Sequence, residues 1–224
     1  MTTNTPMLFI EINFSTVVFV VGIIDDNQKF KIIEKIKLPS EGVEVKFINI
    51  DQFSKLIKDN LEIIEKKQNF IFKEITLILD LFDCSCINIS GFKKLNGSQV
   101  LKENISYILN SLKLKIGENE AHKSILHIFN SKSILDGTYV ENLPIGLFGD
   151  FYCHELTFFL IKNSDLKDIK QIFSKNNLFI KKILLKGFND GVQLINENKD
   201  IDTFFRIKLN KDSSNISFFN KSSF

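Results

Sequence analysis

Leu126-His-Ile-Phe-Asn-Ser-Lys-Ser-Ile-Leu-Asp-Gly-Thr-Tyr-Val-Glu-Asn-Leu-Pro-Ile-Gly-Leu-Phe-Gly149 is the stretch on which the reading of this chain turns. An apolar run ends at Leu135 and reads as a strand. Asp136-Gly137 breaks it, because Gly accepts positive φ and an Asp side chain bonds nearby backbone. A polar link leads to Pro144, with Gly146 and Gly149 at short spacing behind it. A second apolar strand, Phe151 to Ile161, follows. The stretch is therefore two strands joined by an ordered, punctuated loop. None of its side chains has the neighbours of a catalytic residue. Asp136 is a conceivable general base, but Asp-Gly is far more often simply a turn.

Working outward, the block from 74 to 163 reads strand–helix–strand–strand. It opens with an apolar strand, Ile75 to Leu81, and an alternating segment around Cys84 to Ile89. An amphipathic helix then runs from Ser98 to Leu114, with Val100, Leu101, Ile105, Ile108, Leu109 and Leu112 on one side. That stripe is read as core, with partner docking as the alternative. Before the block, Met7 to Asn13, Val17 to Ile24 and Phe30 to Leu38 form a three-stranded meander, turned at Asp25-Asp26-Asn27. Pro39-Ser40-Glu41-Gly42 makes a further turn into an extended piece, Val43 to Ile50. Asp51 is read as the cap of a helix carrying Phe53, Leu56, Ile57, Leu61 and Ile64 at helical spacing. After the block come a helix from Asp165, a strand from Leu178 to Leu185, a short helix from Phe188 to Ile195, and a hairpin of Phe204 to Leu209 with Asn215 to Phe219. Strands alternating with helices on both sides of a compact insertion give an α/β class with an α+β insertion.

Composition narrows the function. The 224 residues are 44% hydrophobic and include 23 Phe, enough for a substantial core. A net charge of +2, with no basic run, argues against nucleic-acid binding. Arg206 is the only arginine, so bidentate phosphate or carboxylate reading gets little support. No apolar run spans a bilayer: Phe14 to Ile24 is too short and is interrupted by Ser15, Thr16 and Gly22. Three cysteines and no secretory signal predict a cytoplasmic location.

Four side-chain sets bear on chemistry. Cys84 and Cys86 with His127, Cys153 and His154 could be drawn as a metal site, but the spacing is no zinc knuckle, and small buried cysteines commonly pack as hydrophobes. His122 and His127 share no helix face. Ser15 and Ser213 lack a nucleophile elbow and read as turn serines. Glu11 is the one carboxylate kept open for catalysis, against the plainer reading of a polar strand-edge residue.

The order of elements and several motifs resemble the FtsA family, bacterial division proteins of the actin-like ATPase superfamily. That family reads Leu-His-x-x-Pro-x-x-Tyr-x-x-Asp-Gly, then Pro-Leu-Gly-Met-x-Gly. Here Leu126-His127, Asp136-Gly137, Pro144, Gly146 and Gly149 fall in register without a gap. Ile10-Glu11-Ile12-Asn13-Phe14-Ser15 sits where the family has its first phosphate loop, Ile-Asp-x-Gly-Thr-Ser. Lys208-Leu209-Asn210-Lys211-Asp212-Ser213 sits where the second would be. Pro39 to Val43, followed by Ile48 to Ile50, matches the family's turn into its first helix. The resemblance implies a partial actin-like (ribonuclease H-like) fold. Residues 1–73 and 164–199 would form subdomain 1A, residues 74–163 an inserted 1C (SHS2-type) subdomain, and residues 200–224 the start of 2A.

It also implies ATP and Mg²⁺ as the family's cofactors, with Glu11, Asn13, Phe14, Ser15, Asn210, Asp212 and Ser213 at the phosphate-loop positions. In the superfamily a loop Asp helps position the metal and a Gly lets backbone approach phosphate. Here Glu11 is longer, Asn13 carries a side chain, Phe14 replaces a hydroxyl, and Lys208 and Asn210 replace Asp and Gly. The eroded loops predict a scaffold without hydrolysis and without a bound cofactor. By resemblance its partners are division-complex proteins and itself, through 74–163, on the cytoplasmic side of the inner membrane at the septum. The resemblance further implies that FtsZ binds the family through a subdomain expected to lie outside the matched half, and the membrane would be reached indirectly or through a further C-terminal helix. The alternative is a fragment of an ATP-binding actin-like ATPase, either FtsA proper or its pilus-assembly relative, whose Mg·ATP site is completed by other residues.

Overall fold

The computed structural model describes residues 5–13, 16–39, 49–80, 84–198, 200–201, 203–209 and 214–220. The elements are β1 (Met7–Ile12), β2 (Thr16–Ile24), β3 (Phe30–Pro39), α1 (Ile50–Gln68), β4 (Glu74–Leu79), β5 (Ser85–Lys94), α2 (Lys102–Asn119), β6 (Lys123–Leu135), β7 (Thr138–Val140), β8 (Phe151–Lys162), α3 (Asn163–Ser174), β9 (Phe179–Leu185), α4 (Lys186–Glu197), β10 (Thr203–Leu209) and β11 (Ser214–Asn220). The turn and extended piece expected over 40–48 lie outside the described residues. The chain separates into two compact units, Met1–Asp83 with Ser164–Asp190 and Cys84–Asn163 with Gly191–Phe224.

The first unit is built on a five-stranded sheet in the order β3-β2-β1-β4-β9. β1, β2 and β3 form the expected antiparallel meander, while β4 lies parallel to β1, and β9 parallel to β4. The turn after β2 is held by Asp25, whose Oδ1 accepts from the amides of Asn27 and Lys29, both at 2.9 Å. Burial alternates along β1 and β4, with Leu8, Ile10, Ile12, Ile75, Leu77 and Leu79 inward. One sheet face is thus core, and the stripes of α1 (Phe53, Ile57, Leu61, Ile64) and α3 (Ile169, Ile172, Phe173) are buried in the same unit. The helices are tied to each other by Asn176, whose Nδ2 donates to the carbonyl and hydroxyl of Ser54 at 3.1 Å, and by Lys175 with Asp51 at 2.6 Å.

Two sequence expectations shift here. Asn49, not Asp51, caps α1: its Oδ1 accepts from the amides of Asp51 and Gln52 at 3.1 and 3.2 Å. Asp51 sits in the first turn, where a carboxylate suits the positive end of the helix dipole. Glu74–Leu79, read at the head of the inserted block, pairs with β1 and β9 and belongs to the five-stranded sheet. Its alternating Ile75, Leu77 and Leu79 are buried beside Leu8, Ile10 and Ile12 of β1, which the register puts opposite them.

The second unit holds an antiparallel sheet, β5-β8-β6-β7, backed by α2. Its core gathers Ile108, Leu112 and Ile116 from α2 with Tyr152, Leu156, Phe158 and Leu160 from β8. The helix lies so close to β5 that a Cβ on Gly91 would come within 2.6 Å of the Ile108 side chain. α2 begins at Lys102, later than the spacing predicts, and Leu101 is its N-cap residue. Val100 is buried, but as extended chain: its amide donates to the Leu147 carbonyl at 2.8 Å and its carbonyl accepts from Gly146 at 2.9 Å. Leu101, expected in the stripe, is about half exposed. The 146–149 loop thus claims backbone groups that a longer helix would have used.

The Asp136-Gly137 turn closes β6 against β7 with both residues at positive φ, 49° and 80°. That is the two-residue hairpin geometry whose twist matches the strands. The Asp136 carboxylate also accepts from the amides of Asp150 (2.9 Å) and Phe151 (2.7 Å), anchoring the start of β8. Its work is that of a turn residue. In the same unit β10 and β11 form the expected hairpin. Phe219 stacks on Phe204 with centroids 4.7 Å apart, and a Cβ on Gly191 of α4 would overlap the Phe219 ring.

Replacing Asp136 with Ala removes the charged acceptor of two amides and places Ala at positive φ. The expected cost is about 1–2 kcal/mol, read as a lower denaturant midpoint at unchanged slope. Asp136→Asn, which keeps an acceptor oxygen and tolerates positive φ, should lose less.

Candidate functional site

Parallel strands of one sheet present their carboxyl ends along a single edge, where open α/β sheets commonly take ligands. Here that edge is made by β1, β4 and β9. Ile12 aligns with Leu79, and Leu79 with Leu185, so Asn13, Asp80 and Lys186 follow at the same level. Glu11 aligns with Ile78, and Ile78 with Leu184. Strand alternation therefore puts Glu11, Asn13, Asp80 and Lys186 on the sheet face opposite the buried Ile12, Leu79 and Leu185. The Asp80 amide extends the pairing by donating to the Ile12 carbonyl at 2.9 Å.

Asn13 is committed to the chain itself. Its amide donates to the Thr16 carbonyl at 3.0 Å, and its Oδ1 accepts from the Thr16 amide at 2.7 Å and hydroxyl at 2.9 Å. The Asn13 side chain thus occupies the mouth of the β1–β2 turn. Lys186, the first residue of α4, donates from Nζ to Asp190 Oδ1 at 2.6 Å. Burial opposes its charge, but the Asp190 bond and the carboxylates of Asp190, Glu11 and Asp80 outweigh it. The ammonium is held above its ordinary range. Sequence reasoning found Glu11 and Asn13 but missed Asp80, Lys186 and Asp190. The available signal was a charged residue immediately after each of two apolar strands.

These residues do not fit a metal-linked nucleotide phosphate. A lysine cation is fixed among the carboxylates at the edge, and the Asn13 oxygen is turned back on Thr16. Among the described residues, no three His, Cys, Asp or Glu side chains cluster closely enough to hold a metal ion. Phe14, Ser15, Asn210, Asp212 and Ser213 lie outside the described residues. Lys208 lies on β10 opposite Asn215, in the other unit.

The cysteine–histidine set does not assemble either. Cys86 and His127 flank Phe159 across the second sheet, whereas Cys153 pairs with Phe92, six residues further along. Six strand residues span roughly 20 Å. His154 points to the opposite, buried face with Tyr152 and Leu156. Burial pushes both the Cys86 and Cys153 thiols up, away from reactive thiolates.

An antiparallel meander leading into parallel strands in the order β3-β2-β1-β4-β9, interrupted by a second unit after β4, defines a partial actin-like (ribonuclease H-like) fold. Among solved structures, a chain of the PilM-PilN type IV pilus biogenesis complex is similar to it. The TM-score is 0.67 at 11% identity, over 98% of this chain and 60% of that one. This chain thus spans about three-fifths of its neighbour's length. A Bacteroides thetaiotaomicron protein with actin-like ATPase fold and unknown function aligns over 99% of this chain and 68% of its own, at 10% identity and a TM-score of 0.44, too loose to add to the comparison. No family model and no curated protein matches the sequence. Among the described residues, no helix is long and apolar enough to cross a membrane.

His154 generates a prediction. It is buried, neither ring nitrogen has a hydrogen-bond partner, and burial pulls its pKa below the ordinary imidazole value. The unfolded chain therefore binds more protons than the native state, and stability falls as pH drops below that ordinary value. His154→Leu should flatten the fall in Tm between about pH 7.5 and about pH 5.5, measured by circular dichroism.

Proposed function

We propose that this chain is an actin-like scaffold that works by holding partner proteins rather than by hydrolysing nucleotide. The observation that carries this reading is the edge of β1, β4 and β9, where open α/β sheets commonly take ligands and where Lys186 is bonded to Asp190 and Asn13 to Thr16. On this reading 1–73 with 164–199 act as a 1A-like base. The expected 74–163 block, without the β4 strand that pairs in the first sheet, acts as a 1C-like (SHS2-type) contact block, and 200–224 as the beginning of a 2A-like part.

The assembly favoured by the fold likeness is a pilus-biogenesis machine, since the similar solved chain comes from a PilM-PilN complex. A second reading, a septum protein of the division ring, is favoured by the gapless register of Leu126-His127, Asp136-Gly137, Pro144, Gly146 and Gly149 with the FtsA pattern. In both, the chain works at the cytoplasmic face of the inner membrane and contacts partners, or further copies of itself, through the 74–163 block. Its membrane link is indirect or lies in further sequence.

Calorimetric titration of the full chain with Mg·ATP should give no binding heat, and saturable binding would overturn the non-hydrolysing reading. A two-hybrid screen of the full chain against pilus-assembly and division proteins from the same genome separates the two assemblies. Capture of a division protein with silence from the pilus set would favour the second reading.

A further inference from the structure

The misfit between the β1–β4–β9 edge and a metal-linked phosphate has a specific chemical form. Asp80 and Lys186 each directly follow a parallel strand, at aligned positions of neighbouring strands. Such strands run about 4.8 Å apart. Glu11 lies on the same face, two residues back by the register. Lys186 opens α4 and turns its ammonium to Asp190, one helical turn on, at 2.6 Å. About two-thirds of both side chains is shielded from solvent, so the pair is less screened than an ion pair in open water.

We propose that Lys186 is a tethered counter-ion: its ammonium, bonded to Asp190 and on the same sheet face as Asp80 and Glu11, offsets the negative charge of this edge, so the edge folds and keeps its shape without metal or nucleotide. A covalently held cation cannot leave when phosphate is hydrolysed or released. The edge therefore has no nucleotide-dependent on and off states, which gives the scaffold reading a mechanism. The proposal stands on strand register and side-chain geometry and does not depend on which partners the chain binds.

The Asp190 bond holds the charge against the opposing effect of burial, and the Glu11 and Asp80 carboxylates act in the same direction. Removing the ammonium leaves the Asp190 carboxylate without its bonded cation at a partly buried edge, where unpaired charge is costly. Removing Lys186 and Asp190 together takes away both the cation and its nearest acceptor, which is milder than leaving one of them behind.

The test uses the full chain and four proteins: wild type, Lys186→Arg, Lys186→Gln, and the double variant Lys186→Gln/Asp190→Asn. The Tm of wild type and K186R should be unmoved by millimolar MgCl₂, alone or with ATP, and Mn²⁺ should not selectively broaden the NMR signals of Glu11 and Asp80. K186Q should melt about 2–4 °C lower, with or without added Mg²⁺. The double variant should melt between K186Q and wild type. A wild-type Tm that rises with Mg²⁺ or Mg·ATP, or Mn²⁺ broadening centred on Glu11 and Asp80, would overturn the proposal. So would a K186Q variant that melts like wild type. If K186Q alone does not fold, a double variant that also fails to fold overturns it, and one that folds supports it. Mg·ATP binding by wild type would sink both this proposal and the non-hydrolysing reading, whereas a K186Q variant that melts like wild type, with wild type silent to Mg·ATP, sinks this proposal alone.

Discussion

The parallel pairing of β1 with β4 is the constraint on which the rest of the first unit depends. Antiparallel neighbours can be joined by a tight turn, and β1, β2 and β3 use that freedom. A parallel neighbour requires the chain to return to the starting end of the sheet, which takes a dozen residues or more. α1 runs between β3 and β4, and the whole of 84–163 with α3 runs between β4 and β9. The same pairing sets the carboxyl ends of β1, β4 and β9 side by side. The chemistry of that edge follows from the topology before any single side chain is considered.

Burial then selects what the topology allows. Alternation along β1 and β4 sends every second residue to the helix-covered face, and those residues are apolar throughout. Glu11 therefore cannot enter the core and is left with Asn13 on the other face, at the edge where charge is tolerated. In the second unit the same economy produces a different result. Central β8 is covered by β5 and β6 at its edges and by α2 on one face, and it buries Tyr152, His154, Leu156, Phe158 and Leu160 in succession along that face. His154, opposite the buried Ser133, is the imidazole of that row, and burial holds its pKa below the ordinary value.

Much of the fold was legible in residue order. The meander, the helix stripes at 53–64 and 108–112, the Asp136-Gly137 turn and the final hairpin all come from local signals: alternation, helical spacing, and residues that tolerate positive φ. The misplacements also have local causes that lost to distant ones. Ser98 to Leu101 carries helical spacing, yet the 146–149 loop takes the backbone groups of Val100. Asp51 is a good cap, yet Asn49 comes first and reaches the same amides. The candidate site was half legible. Glu11 and Asn13 were found through a motif, whereas Asp80, Lys186 and Asp190 carry no motif and meet only because strands far apart in sequence lie side by side.

The sequence alone determined most of the segments that form strands and helices, and where the tight turns fall. Each of these depends on a handful of consecutive residues. Only the tertiary structure decided that β4 joins the first sheet, that Cys86 and Cys153 stay far apart, and that Lys186 stands beside Asp80 on the Glu11 face. Those outcomes depend on strand register, and register is set by the simultaneous burial of many side chains, a condition no local window contains.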